Sequence, residues 1–151
     1  MWTRAGIPVC RSARVIFGKG TDMCLVMKKC GRNVPRTAKR GIKCYKVVAT
    51  LGNSVRSPYY EYIYNVGEIC STYMQELCFY IVSNGFHSFM NAWDASELLD
   101  MMNSMYRHRT FRLAECQIPK GAVYYKGMEE SSLLYRKPGY VSDKIIIKQI
   151  I

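Results

Sequence analysis

Hydrophobic and polar positions change their period along the chain, and each change marks an element. Lys43-Cys44-Tyr45-Lys46-Val47-Val48-Ala49 reads as a first strand, ended by the turn-forming Leu51-Gly52-Asn53-Ser54. After Ser57-Pro58, the segment Tyr60 to Val66 reads as a second extended stretch closed by Gly67. Its tyrosines, Tyr59, Tyr60, Tyr62 and Tyr64, alternate as on a half-exposed strand, which points to packing and interface. Leu77 to Val82 is a third apolar run of strand length, stopped by Ser83-Asn84-Gly85.

The period then changes. Asn91 suits an N-cap, and Asp94 and Glu97 suit the positive end of a helix. Ala95, Leu98, Leu99, Met102 and Tyr106 follow at the spacing of one helical face. Arg107-His108-Arg109 stands where a helix C-terminus favours cations, which is the role expected of His108. Beyond it, Phe111 to Ile118 and Ala122 to Tyr125 read as strands separated by Pro119 and Gly121, and Glu129-Glu130-Ser131-Ser132 as an exposed loop. Val141 to Ile151 closes the chain. Lys144-Ile145-Ile146-Ile147-Lys148 is too continuously apolar for an exposed edge, so the C-terminus is expected in the core. The fold class that follows is α+β: a small, mostly antiparallel sheet with one principal amphipathic helix over about residues 91–106, preceded by a basic irregular arm.

Charge sharpens the boundary of that arm. Of the 22 Lys and Arg, twelve lie in residues 1–46 with a single acid, Asp22, whereas residues 47–151 hold ten bases and ten acids. Gly6, Pro8, Gly18, Gly20, Gly31 and Pro35 are scattered among the cations without sustained periodicity. Residues 1–41 are therefore read as a poorly ordered basic arm and residues 42–151 as a single α+β domain. Such an arm suits counterion-releasing contact with nucleic acid through residues 1–46, an acidic partner, or organellar targeting; Arg32, Arg36, Lys39 and Arg40 are the candidate contacts. Met23 and Met27 offer later starts. No apolar run reaches the roughly 18 residues of a membrane-crossing helix, and Cys24-Leu25-Val26-Met27 is too short for the core of a secretory signal. The expected location is inside a cell or a virion.

The 7 cysteines are odd in number. Over Cys10, Cys24, Cys30 and Cys44 their spacing is C-x13-C-x5-C-x13-C, which lacks the close ligand pair of a structural zinc site, so reduced thiols and no metal are expected. His87, between Phe86 and Phe89, is either a ligand-facing group close to a helix N-terminus or a partly buried histidine at a strand-to-helix junction.

Cys44-Tyr45-Lys46-Val47, Tyr64-Asn65-Val66-Gly67, Gly85-Phe86-His87-Ser88-Phe89, Ile118-Pro119-Lys120-Gly121-Ala122-x-Tyr124-Tyr125 and Tyr140-Val141-Ser142-Asp143-Lys144-Ile145 occur in that order. As an ordered set they resemble a family of small proteins, without an established activity, from bacteriophages, large DNA viruses and bacteria that carry mobile elements. The resemblance covers residues 42–151 and leaves out the arm. It implies a non-catalytic binding protein that contacts a host or virion protein, with no cofactor. More distantly, the order of elements is similar to small ADP-ribosyltransferase folds, which place a catalytic Glu on a late strand. That likeness implies a domain binding NAD or ADP-ribose through Tyr45, His87 and Ser88, although Asp143 rather than Glu stands on the last strand. A third expectation is a virion component whose arm touches nucleic acid.

Overall fold

The computed structural model describes residues 24–26, 35–58, 62–78, 81–130 and 137–151. The strands are β1 (Cys24–Val26), β2 (Arg36–Thr37), β3 (Ile42–Leu51), β4 (Ser54–Arg56), β5 (Ile63–Tyr64), β6 (Ile69–Ser71), β7 (Gln75–Cys78), β8 (Ile81–Asn84) and β9 (Phe86–Phe89). The helix α1 (Ala92–Met105) follows, and then β10 (Thr110–Ile118), β11 (Val123–Glu130), β12 (Lys137–Ser142) and β13 (Lys144–Ile150). They join in one antiparallel sheet whose order is β6-β13-β10-β3-β9-β12-β11-β1-β8-β7, with β2 beside β11 and the β4–β5 ribbon branching from β3. Among the described residues, the mostly antiparallel sheet with a single principal helix, expected from the periodicity, is the architecture found.

β3 shows why the sheet is two-sided. It alternates strictly and is buried on both faces, which only a central strand with layers above and below can be. Cys44 and Val48 join a core with Ala114, Cys116 and Ile118 of β10, Ile145 and Ile147 of β13, and Tyr64 of β5. On the other face Val47 and Ala49, with Phe89 and Phe111, receive Ala95, Leu98 and Met102 of α1. Each fully buried Leu, Ile or Met contributes about 1.5–3 kcal/mol. The register of β3 on β10 runs unbroken from Thr50↔Thr110 to Ile42↔Ile118, so a one-residue slip of either strand would turn every side chain fitted to one core into the other.

α1 begins where the capping chemistry dictates. Asn91 is extended, and its side-chain oxygen accepts from the Asp94 amide at 2.9 Å while its Nδ2 donates to Asp94 Oδ2 at 2.7 Å. At the far end the Tyr106 amide donates to Met102 O, and Arg109 turns away from the helix to donate to Pro58 O at 3.1 Å. Its guanidinium also lies 5.2 Å from the Phe111 ring centroid. No basic residue stands in the last helical turn and His108 is exposed beyond it, so the expected helix-end charge cluster is not formed.

Several boundaries differ from the expectation. Of residues 62–66 only Ile63 and Tyr64 form strand, and Tyr59, Tyr60 and Glu61 lie outside the described residues. The run from Leu77 to Val82 is divided between β7 and β8, and a new strand begins directly after Gly85, whose φ of 124° provides the bend. Glu129, expected in an exposed loop, lies within β11 and is fully buried; Ser131 and Ser132 lie outside the described residues. The sheet also begins before residue 42. β1 pairs with β11 and β8, β2 pairs with β11, and Ala38 is in the core.

Candidate functional site

His87 stands in the middle of the sheet, where β9 lies between β3 and β12. Strand alternation turns His87 and Phe89 toward the α1 face and Phe86 and Ser88 toward the other. His87 is therefore not at the helix N-terminus: α1 starts after Asn91, and the imidazole faces β12 and β11 instead. Its Nδ1 is hydrogen-bonded with the Glu129 carboxyl group, 3.0 Å from Oε2 and 3.2 Å from Oε1. The two side chains are 9% and 0% exposed.

The reach of Glu129 depends on a glycine. Glu129 is on β11 and His87 on β9, so the carboxylate must cross the intervening β12. It does so over Gly139, where a Cβ would stand 2.4 Å from Glu129 Cγ and 2.6 Å from Ser88 O. Gly127 of β11 pairs directly with Gly139, which makes the rung beside the crossing equally bare. The cross-strand partner of Glu129 is Lys137, yet the Lys137 ammonium is drawn to α1, 2.8 Å from Glu97 Oε2 and 3.7 Å from Asp94 Oδ1.

On the opposite face, Lys46 approaches the same residue. Its Nζ donates to the His87 carbonyl oxygen, and the ammonium lies 6.0 Å from the Tyr64 ring centroid. Lys46 is buried, its chain lying on the core face of β3. Two buried charges of opposite sign thus converge on one histidine, the cation on its carbonyl and the anion on its ring. A buried carboxylate needs such partners, since an isolated one would be strongly disfavoured in this interior.

Ser88 lies beside Cys44 on the Lys46 face, with its hydroxyl buried. Burial pushes the Cys44 thiol up to about 11, against a smaller opposing influence of Ser88 and Lys46. Burial raises the Cys116 thiol as well, and its cross-strand neighbour Cys44 adds to the effect. These thiols, with Cys70, are free and buried, and such groups are inert apolar fillers rather than nucleophiles. Tyr140, opposite Ser88, also has its phenol raised by burial, then by Cys44 and Tyr124.

The three expected ligand contacts are thus placed differently. Tyr45 pairs with Phe89, packs toward α1, and carries the Lys43 ammonium 5.7 Å from its ring centroid. His87 is on that same face but engaged with Glu129, and Ser88 is on the reverse. Sequence reasoning missed Glu129 as the partner of His87. The available signal was the alternation Tyr125-Gly127-Glu129, which continues the strand expected at 122–125. Among the described residues no group of three His, Cys, Asp or Glu is placed to hold a metal ion, and no helix is long and apolar enough to cross a membrane.

Of the candidate cationic contacts, Arg36, Lys39 and Arg40 are exposed, and Arg32 lies outside the described residues. Chemically, the His87–Glu129 pair fixes the imidazole tautomer and ring orientation. It ties β9 to β11 across β12. Comparison of the chain with models of protein families, with curated proteins and with solved structures finds no match.

Proposed function

We propose that the chain is a non-catalytic binding protein whose partner is a protein of the host or virion, as the viral and mobile-element resemblance implies. The observation that carries this reading is the segment from residue 62 to 71. Its inward residues Tyr64 and Cys70 already belong to the core, and the Gly67 amide donates to Ile147 O at 2.8 Å. Its outward side carries three apolar side chains, Ile63, Val66 and Ile69, 54%, 49% and 58% exposed, among the polar Asn65, Glu68 and Ser71. Apolar anchors set among polar residues on an exposed ribbon have the make-up of a surface that a second protein covers.

The segment is held rigidly enough to serve as a contact surface. Tyr62 and Tyr64 pack on Phe86 with ring centroids 5.2 Å and 5.9 Å away, and on each other at 5.1 Å. Little ordering is then required on binding, which favours affinity. The test places a photo-crosslinking amino acid at Ile63, Val66 or Ile69 in cells or virions, with Ser104 on the exposed face of α1 as control. The expected result is one discrete heterologous protein adduct from the three strip positions and none from position 104. Equal adducts from all four positions, or a self-adduct alone, would contradict the proposal.

A further inference from the structure

The basic region is not only an arm, because the fold clamps part of it to a distant turn. The Ala38 amide donates to Ala122 O and the Gly121 amide donates to Ala38 O, both at 2.8 Å. Ala38 and Ala122 are buried, and β2 continues the contact through Thr37↔Val123 and Arg36↔Tyr124. Lys39 and Arg40 follow directly after Ala38, and Lys120 directly precedes Gly121. The clamp therefore gathers Arg36, Lys39, Arg40 and Lys120 at one end of the sheet, all exposed.

Neighbouring acids take up two of the other surface cations. Lys43 is taken up by Glu115 at 3.0 Å, and Lys137 by Glu97 and Asp94. Among the described residues Arg36, Lys39, Arg40 and Lys120 make no ion pair. The nearby Asp143 carboxylate is turned inward, accepting from the Val123 amide at 2.9 Å.

We propose that this end of the sheet is a contact surface for the phosphate backbone of nucleic acid. Charge chemistry fits an acidic protein too, but two observations favour the polynucleotide. None of the large exposed apolar side chains falls within residues 36–43 or 119–122, whereas a protein interface is built around apolar anchors with charge at its rim. In addition, the sequence before residue 35 carries seven more Lys and Arg with only Asp22 against them. A long run of this kind matches a regularly charged polymer and gains its affinity from released counterions. Such contact positions the protein without reading base sequence.

The experiment is fluorescence anisotropy of the full chain with labelled random-sequence DNA and RNA oligonucleotides across a salt series. Lys120→Ala is the decisive variant because Lys120 is remote from the basic segment in sequence and joins it only through the clamp. Each lost phosphate contact lowers the slope of log affinity against log salt by about 0.7–0.9. Lys120→Ala is expected to lower it by that amount, the variant lacking all four cations by about 3, and Lys148→Ala, on β13, not at all, with melting temperatures unchanged. A slope unaffected by Lys120→Ala would overturn the proposal. So would displacement of the probe by polyglutamate as effective as that by unlabelled oligonucleotide of equal charge, which would give the surface to an acidic protein.

Discussion

Removal of the last six residues is expected to leave a chain with no cooperative unfolding transition. β13 lies between β10 and β6, so losing residues 146–151 deletes the register pairs from Ala114↔Ile150 to Gln117↔Ile146 and, on the other side, the Ile146↔Ile69 pair with β6. Ile147, fully buried, leaves with it, and the Gly67 amide loses its acceptor. Truncating one buried Ile to Ala costs about 2–5 kcal/mol, and the whole stability of a domain is about 5–15 kcal/mol. Deleting an interior strand exceeds that margin. Thermal melting followed by near- and far-ultraviolet circular dichroism reads the result. Ile147→Ala alone should remain folded with a clearly lower melting temperature, and a truncated chain that melts like the full one would contradict this view of the core.

The second large effect is expected at Glu129. Glu129→Ala removes the anion from a buried pair and leaves the His87 ring without its acceptor; breaking such pairs costs about 3–5 kcal/mol. Gly139→Ala should reproduce much of the loss without touching either partner, because its new Cβ meets Glu129 Cγ at 2.4 Å and the Ser88 carbonyl oxygen at 2.6 Å. The side chain could turn aside, but the carbonyl belongs to the neighbouring strand and cannot. A double-mutant cycle over His87→Ala and Glu129→Ala, read by denaturant unfolding, separates the pair from its surroundings. Non-additivity is expected; effects that add to within about 0.5 kcal/mol would show that the two side chains are not coupled.

The legible and illegible parts of this molecule divide along a physical line. α1 was legible from Asn91, Asp94 and the Ala95-Leu98-Met102 face because capping and periodicity are local. β3 and β10 were legible because their apolar runs match strand length. Local pattern could not reveal that β11 runs through Glu129. Two successive glutamates before two serines have the composition of a loop, and only the bare Gly127–Gly139 rung, formed by residues far apart in sequence, gives that carboxylate a path to His87. Pro138 and Gly139, residue types common in turns, lie inside β12. Tyr45 and His87 share the α1 face while Ser88 looks to the other, since adjacent residues of one strand face opposite sides of the sheet. The clamp that brings Lys120 to Lys39 and Arg40 is likewise a tertiary contact that charge counting along the chain does not reveal.

The central claim is that His87 is committed to holding the sheet together and that recognition takes place on the outer surface. NAD-derived ligands at the candidate residues would require the opposite. The direct measurement is a thermal-shift titration of the full chain with NAD and with ADP-ribose. A ligand present at 100 times its dissociation constant would stabilise the fold by about 2.7 kcal/mol. The account predicts no shift with either nucleotide up to millimolar concentration; a saturable rise in melting temperature that Ser88→Ala or Tyr45→Phe abolishes would contradict it.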